Sequence, residues 1–133
     1  MKLRIRLLAA LAATALGAGL GPAAASAQDD IVRAHEALAH AGEYAMVCGV
    51  IADARHVRNA RGEPTYLNFD KPYPDQDFTA IVWGRDRKRF DPAPETLVGR
   101  KACVYGKVER YQGKAQMALA RQEQLSVAAS KPE

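Results

Sequence analysis

From Gly42 to Val127 the chain shows no sustained helical spacing of apolar residues; short β-branched and aromatic runs recur instead, each closed by a turn signal. The first run, Glu43 to Ala52, is interrupted by Gly49. Thr65 to Phe69 and Phe78 to Trp83 follow, joined by an eight-residue connection whose Pro72 and Pro74 deny a ladder its donors. Lys101 to Arg110 and Lys114 to Ala120 flank a Gln112-Gly113 turn, and Leu125 to Val127 adds a short extension. Glycines inside strands mark bends. Five short runs, two bent at Gly49 and Gly106, therefore predict a small closed barrel rather than an open sheet.

Ahead of Gly42 the period is different. Ile31, Ala34, Leu38 and Ala41 follow Asp29-Asp30 at helical spacing, and Gly42 suits a left-handed stop, so an α-helix is expected over about 30–41. Residues 53–64 read as a polar loop, and 84–94 as a charged connector ahead of one helical turn at 95–98.

Residues 1–27 carry the marks of a secretory signal: Lys2, Arg4 and Arg6, an apolar stretch from Leu7 to Leu20, and Ala25-Ser26-Ala27 before Gln28. The alternative is a retained anchor, against which stand the shortness of the run and Gly17, Gly19, Gly21 and Pro22 within or just after it. The domain plan is a signal peptide at 1–27, a helical segment at 28–42, the main domain at 43–127 and a loose tail at 128–133, with a periplasmic or secreted address. Removing the signal takes three of the 19 basic residues and none of the 15 acidic ones, leaving a net charge of +1. The overall charge is thus not that of a strongly basic nucleic-acid binder. In an oxidising compartment, Cys48 and Cys103 are expected to form a disulfide, a useful staple for a domain this small.

The runs Val47-Cys48-Gly49-Val50, Thr65 to Phe69, Phe78 to Trp83 and Gly99 to Val108, closed by Tyr111 to Met117, resemble an OB-fold domain of the kind found in bacterial nucleic-acid-binding proteins. The resemblance covers residues 43–127 and carries no catalytic motif. It implies an all-β, five-stranded OB-fold barrel behind an N-terminal α-helix. In that fold the first and fourth strands are neighbours, and side-chain alternation then puts Cys48 and Cys103 on one face. The resemblance also implies a ligand surface on the second and third strands and two flanking loops.

Read on those positions, Arg55, Arg58 and Arg61 in one loop, and Arg110, Tyr111 and Lys114 in the other, would attract phosphates. Tyr66 and Trp83 would stack bases, with Arg85 nearby. The competing readings are packing of Trp83 and Tyr66 under the helix or the proline-rich loop, and a merely solvated Arg85–Arg89 run. Single-stranded DNA or RNA is the expected partner of a non-catalytic module, and an envelope protein or small ligand held by the same barrel is the alternative. No stable membrane insertion is expected after signal cleavage.

No nucleophile with a base, carboxylate pair or phosphate loop is recognisable, and no cofactor is expected. His35 and His40 lie about 140° apart around a helix and do not converge on a metal. Asp70, Asp75 and Asp77 lack the glycine and terminal Glu of a calcium loop.

Overall fold

The computed structural model describes residues 30–129, together with Gly17 and Gly19. The expected signal segment, those two glycines apart, and the last four residues of the expected tail lie outside that range.

Eight strands form one mixed sheet: β1 (Ile31–Arg33), β2 (Tyr44–His56), β3 (Thr65–Phe69), β4 (Phe78–Val82), β5 (Lys101–Lys107), β6 (Glu109–Tyr111), β7 (Lys114–Ala118) and β8 (Leu125–Val127). The order is β6-β7-β4-β3-β2-β5-β8, with β1 added in parallel to the start of β2. This corrects the five-stranded closed barrel. The hydrogen-bonded path ends at β6 and β8 and does not return on itself. The expected fourth strand is split at Val108, which leaves the ladder: its amide donates to the Glu43 carbonyl at 2.8 Å and its own carbonyl accepts from Gly42 at 2.7 Å. The OB-fold assignment falls with closure.

The N-terminal α-helix is also corrected. Ile31–Arg33 extends along β2, and Ala34–His40 winds as a 3₁₀ helix. Buried Ala34 and Ala37 are three residues apart, which the three-residue turn of a 3₁₀ helix places on one side. The charged 84–94 connector contains one turn, α1 (Gly84–Arg87), and Pro94–Leu97 forms a second 3₁₀ turn.

The long strand β2 organises the molecule. Its first half pairs with β5 and its second with β3, and between Ile51 and Asp53 the register shifts by a bulge. In the first half Ala45, Val47 and Ile51 point into the core with Leu67, Phe69, Phe78, Val82, Val104 and Met117. Burying each such side chain stabilises the fold by about 1.5–3 kcal/mol. Beyond the bulge the facing is reversed, and the odd-numbered Asp53 lies on the outer side with Asn68 opposite it.

Cys48 and Cys103 are directly opposed on β2 and β5, with Cα atoms 4.1 Å apart, and are joined as a disulfide. The loop between β3 and β4 is anchored by Asp70, which accepts the Val50 amide at 2.9 Å. A side chain at Gly49 would come within 2.7 Å of that carboxylate, so the close approach needs the glycine.

Candidate ligand cleft

One cross-strand row builds the site. Asp53 on β2 faces Asn68 on β3, which faces Thr79 on β4, then Gln116 on β7 and Glu109 on β6. Sheet pairing alone brings these five polar residues into register. The row lies outside the core, and the connection between β3 and β4 folds down over it.

The hydrogen bonds in the row have one direction. Gln76 Nε2 donates to Thr79 Oγ1 at 3.2 Å, the Thr79 hydroxyl donates to Asn68 Oδ1 at 2.8 Å, and Asn68 Nδ2 donates to Asp53 Oδ1 at 2.6 Å. The Asp53 carboxylate only accepts, so it fixes the orientation of each group behind it. A chain ending on an anion is polarised along its length. The second Asp53 oxygen accepts the Tyr73 amide at 3.0 Å, which ties the loop to the sheet. At the other end Gln76 Oε1 is buried and accepts no hydrogen bond. Gln76, Thr79 and Asn68 are themselves buried.

Lys114 completes the frame. Its ammonium donates to the Pro74 and Gln76 carbonyls, so its charge is spent on holding the loop. The resulting cleft is about 580 Å³, within the size range of small-molecule sites. Asp53, Arg55, Tyr66, Asn68, Tyr73, Gln76, Thr79, Tyr111, Gln112 and Gln116 line it with Lys114.

Of the nine residues expected to make one nucleic-acid surface, Arg55, Tyr66, Tyr111 and Lys114 meet in this cleft. Arg55 is on strand β2, which continues to His56, and not in a loop. Arg58, Arg61, Trp83, Arg85 and Arg110 do not line it. Trp83 packs on the Gly62 backbone, where an added Cβ would lie 2.9 Å from its ring. The Arg85 side chain is largely exposed and pairs with Asp86 at 3.5 Å.

The single-stranded nucleic-acid module is therefore corrected. Its barrel is not closed, most of its expected cations lie outside the cleft, and among the described residues no stacked aromatic pair lies on the outer face of the expected strands. The ring pairs are Phe69–Phe78, both buried, and Tyr44–Tyr105 on a different face. The alternative envelope-binding barrel loses its barrel for the same reason.

Asp53, Asn68, Gln76 and Thr79 carried no sequence motif. Placing Asp53 in a loop concealed the row, although alternation along β3 and β4 already turned Asn68 and Thr79 outward. Among the described residues no group of three or more His, Cys, Asp or Glu is placed to hold a metal ion.

A second polar cluster lies beside the cleft's far strand end. Arg87 makes a two-pronged ion pair with Glu95 and donates to Thr65 Oγ1 at 3.3 Å. The hydrogen bonds from Arg87 hold the Glu95 carboxyl below the ordinary carboxylate range, and the same contact raises the Arg87 pKa.

No protein-family model matches the chain, and no curated protein matches it. Among solved structures, a chain assigned as an aspartyl-tRNA synthetase from Leishmania major Friedlin is similar at 6% identity and a TM-score of 0.47. The match covers 77% of this chain and 21% of that one, so this chain spans about a fifth of the synthetase's length. A likeness this distant carries no argument about function.

Proposed function

We propose that this protein is an exported, non-catalytic binding module whose cleft takes a neutral, hydroxyl-rich ligand with flat faces, of the oligosaccharide class. The observation that carries the reading is the directed chain from Gln76 to Asp53. It fixes the floor of the cleft as a self-satisfied polar row, and both charged groups at its ends are already engaged: Asp53 by Asn68 and Tyr73, Lys114 by two carbonyls. Among the described residues lining the cleft, Arg55 is the charged group whose side chain is left without an ion pair or hydrogen bond.

Sugar hydroxyls both donate and accept, as do the Gln112 and Gln116 amides and the Tyr hydroxyls. The rings of Tyr66, Tyr73 and Tyr111 supply apolar faces for the carbon side of a pyranose. The signal-like residues 1–27 support an export route to a compartment where envelope glycans lie.

The test is a titration followed by NMR, with a β-linked N-acetylglucosamine hexasaccharide and a glucose hexasaccharide as probes. Binding with shifts confined to Tyr66, Tyr73, Tyr111 and Gln116, and unchanged by added salt, is expected. Absence of binding by either sugar at concentrations on the order of 1 mM, where even −4 kcal/mol of affinity registers, overturns the reading.

A further inference from the structure

The outer face of β1, the first half of β2, β5 and β8 lies away from the cleft and has its own chemistry. Strict alternation turns Ile31, Met46 and Tyr105 outward in one register row, with Tyr44 beside them. Ile31 is 41% exposed, Met46 39%, Tyr105 49% and Tyr44 69%. The Tyr44 and Tyr105 rings lie 6.4 Å apart. Large apolar side chains gathered on one exposed face mark an interaction surface.

The charged side chains on the strands of this face are of one sign, with the acidic Asp30 and Glu43 just outside it at the starts of β1 and β2. Arg33, Lys101 and Lys107 occupy exposed positions on β1 and β5, and none of the three takes part in an ion pair with a described residue. No Asp or Glu occurs in β1, β5, β8 or the stretch of β2 from Tyr44 to Val50. Lys101 and Lys107 are six residues apart on one strand, a span of about 20 Å. The Cys48–Cys103 link in the middle of the face holds β2 and β5 in register.

We propose that this face docks peripherally on an anionic phospholipid surface. Charge complementarity selects the occupant. A second copy of the chain in a two-fold dimer would bring two cationic faces of the same sign together. A neutral apolar partner would leave the three cations without counter-charge. A lipid headgroup layer supplies anions around the rim and an interfacial zone suited to Tyr and Met at the centre. Docking needs no spanning segment, and among the described residues no helix is long and apolar enough to cross a membrane. It is also independent of the sugar reading, because the two share only β2, and use different halves of it.

The test uses the protein as the producing cell processes it, mixed with vesicles of phosphatidylcholine alone or with phosphatidylglycerol added, some carrying a spin-labelled lipid. Sedimentation with the anionic vesicles only, weakened by salt, is expected, with paramagnetic broadening at Ile31, Tyr44, Met46 and Tyr105. Lys101→Gln with Lys107→Gln should weaken binding roughly twenty-fivefold, since each cation near such a surface contributes about a fivefold gain. Both positions are exposed, and an unchanged melting curve shows that the variant folds. Equal binding to neutral vesicles, broadening at Tyr73 and Tyr111 instead, or capture by an acidic protein without any vesicle binding would each overturn the proposal.

Discussion

The Lys114 ammonium at the start of β7 donates to the Gln76 carbonyl at 2.9 Å, joining segments 38 residues apart in the chain. It also bonds the Pro74 carbonyl, so one side chain fixes the wall of the cleft. Lys114→Met keeps the apolar stem and removes the donors. The expected result is faster hydrogen exchange at the Tyr73 and Asp75 amides, with a stability loss of about 1–2 kcal/mol. Exchange rates equal to those of the native protein would show that the loop holds itself.

Thr79→Val breaks the middle of the directed chain and leaves Gln76 Nε2 without its acceptor and Asn68 Oδ1 without its donor in a buried place. The expected cost is about 1–3 kcal/mol by urea denaturation. Asn68→Leu should cost a similar amount, because the Asp53 carboxylate loses its donor. The double variant should cost less than the sum of the two, since the pair acts through one network. Strict additivity would mean that the chain is not cooperative.

The Arg87–Glu95 pair predicts a pH signature. Glu95 has a lower pKa in the folded chain than its ordinary value. Its contribution is therefore complete above the unfolded pKa, near 4.3 as an approximate reference, and is lost as pH falls through the lower folded value. The side chains are 24% and 29% exposed, so solvent screening limits the contribution to about 0.5–1 kcal/mol. Stability curves of the native chain and Glu95→Gln should differ by that constant amount at neutral pH and converge in acid. A difference that grows on acidification has the wrong sign for this pair.

Reducing the Cys48–Cys103 bond should destabilise the fold through the unfolded chain. The linked residues are separated by 55 positions, for which chain entropy gives about 4 kcal/mol. Chemical denaturation with and without reductant measures it, and the Cys48→Ala, Cys103→Ala double variant should match the reduced protein. Coincident curves in the two conditions would mean that the link adds no stability.

Much of the strand content could be read from residue patterns. Thr65 to Phe69 and Phe78 to Val82 alternate β-formers between turn signals, and both are strands. Trp83 is half-buried against the Gly62 backbone, where a Cβ would meet its ring, a contact that residue patterns along the strand do not show. Over residues 31–40 the apolar side chains Ile31, Ala34 and Leu38 satisfy a helical period as readily as a strand followed by a three-residue turn. Pairing with Met46 to Cys48 decides between them.

The sequence by itself determined the mostly β character and the breaks at turn residues, because side-chain alternation and local backbone preference are properties of neighbouring residues, and with only two cysteines it allowed a single intramolecular pair. The tertiary structure decided that the sheet stays open and that Asp53 meets Asn68, Thr79 and Gln116. One bulge in β2 reverses the facing of every residue after it, and Val108 leaves the ladder for a bond with residues 42 and 43. Both events depend on which strands lie side by side, and that is settled by contacts between residues far apart in the chain.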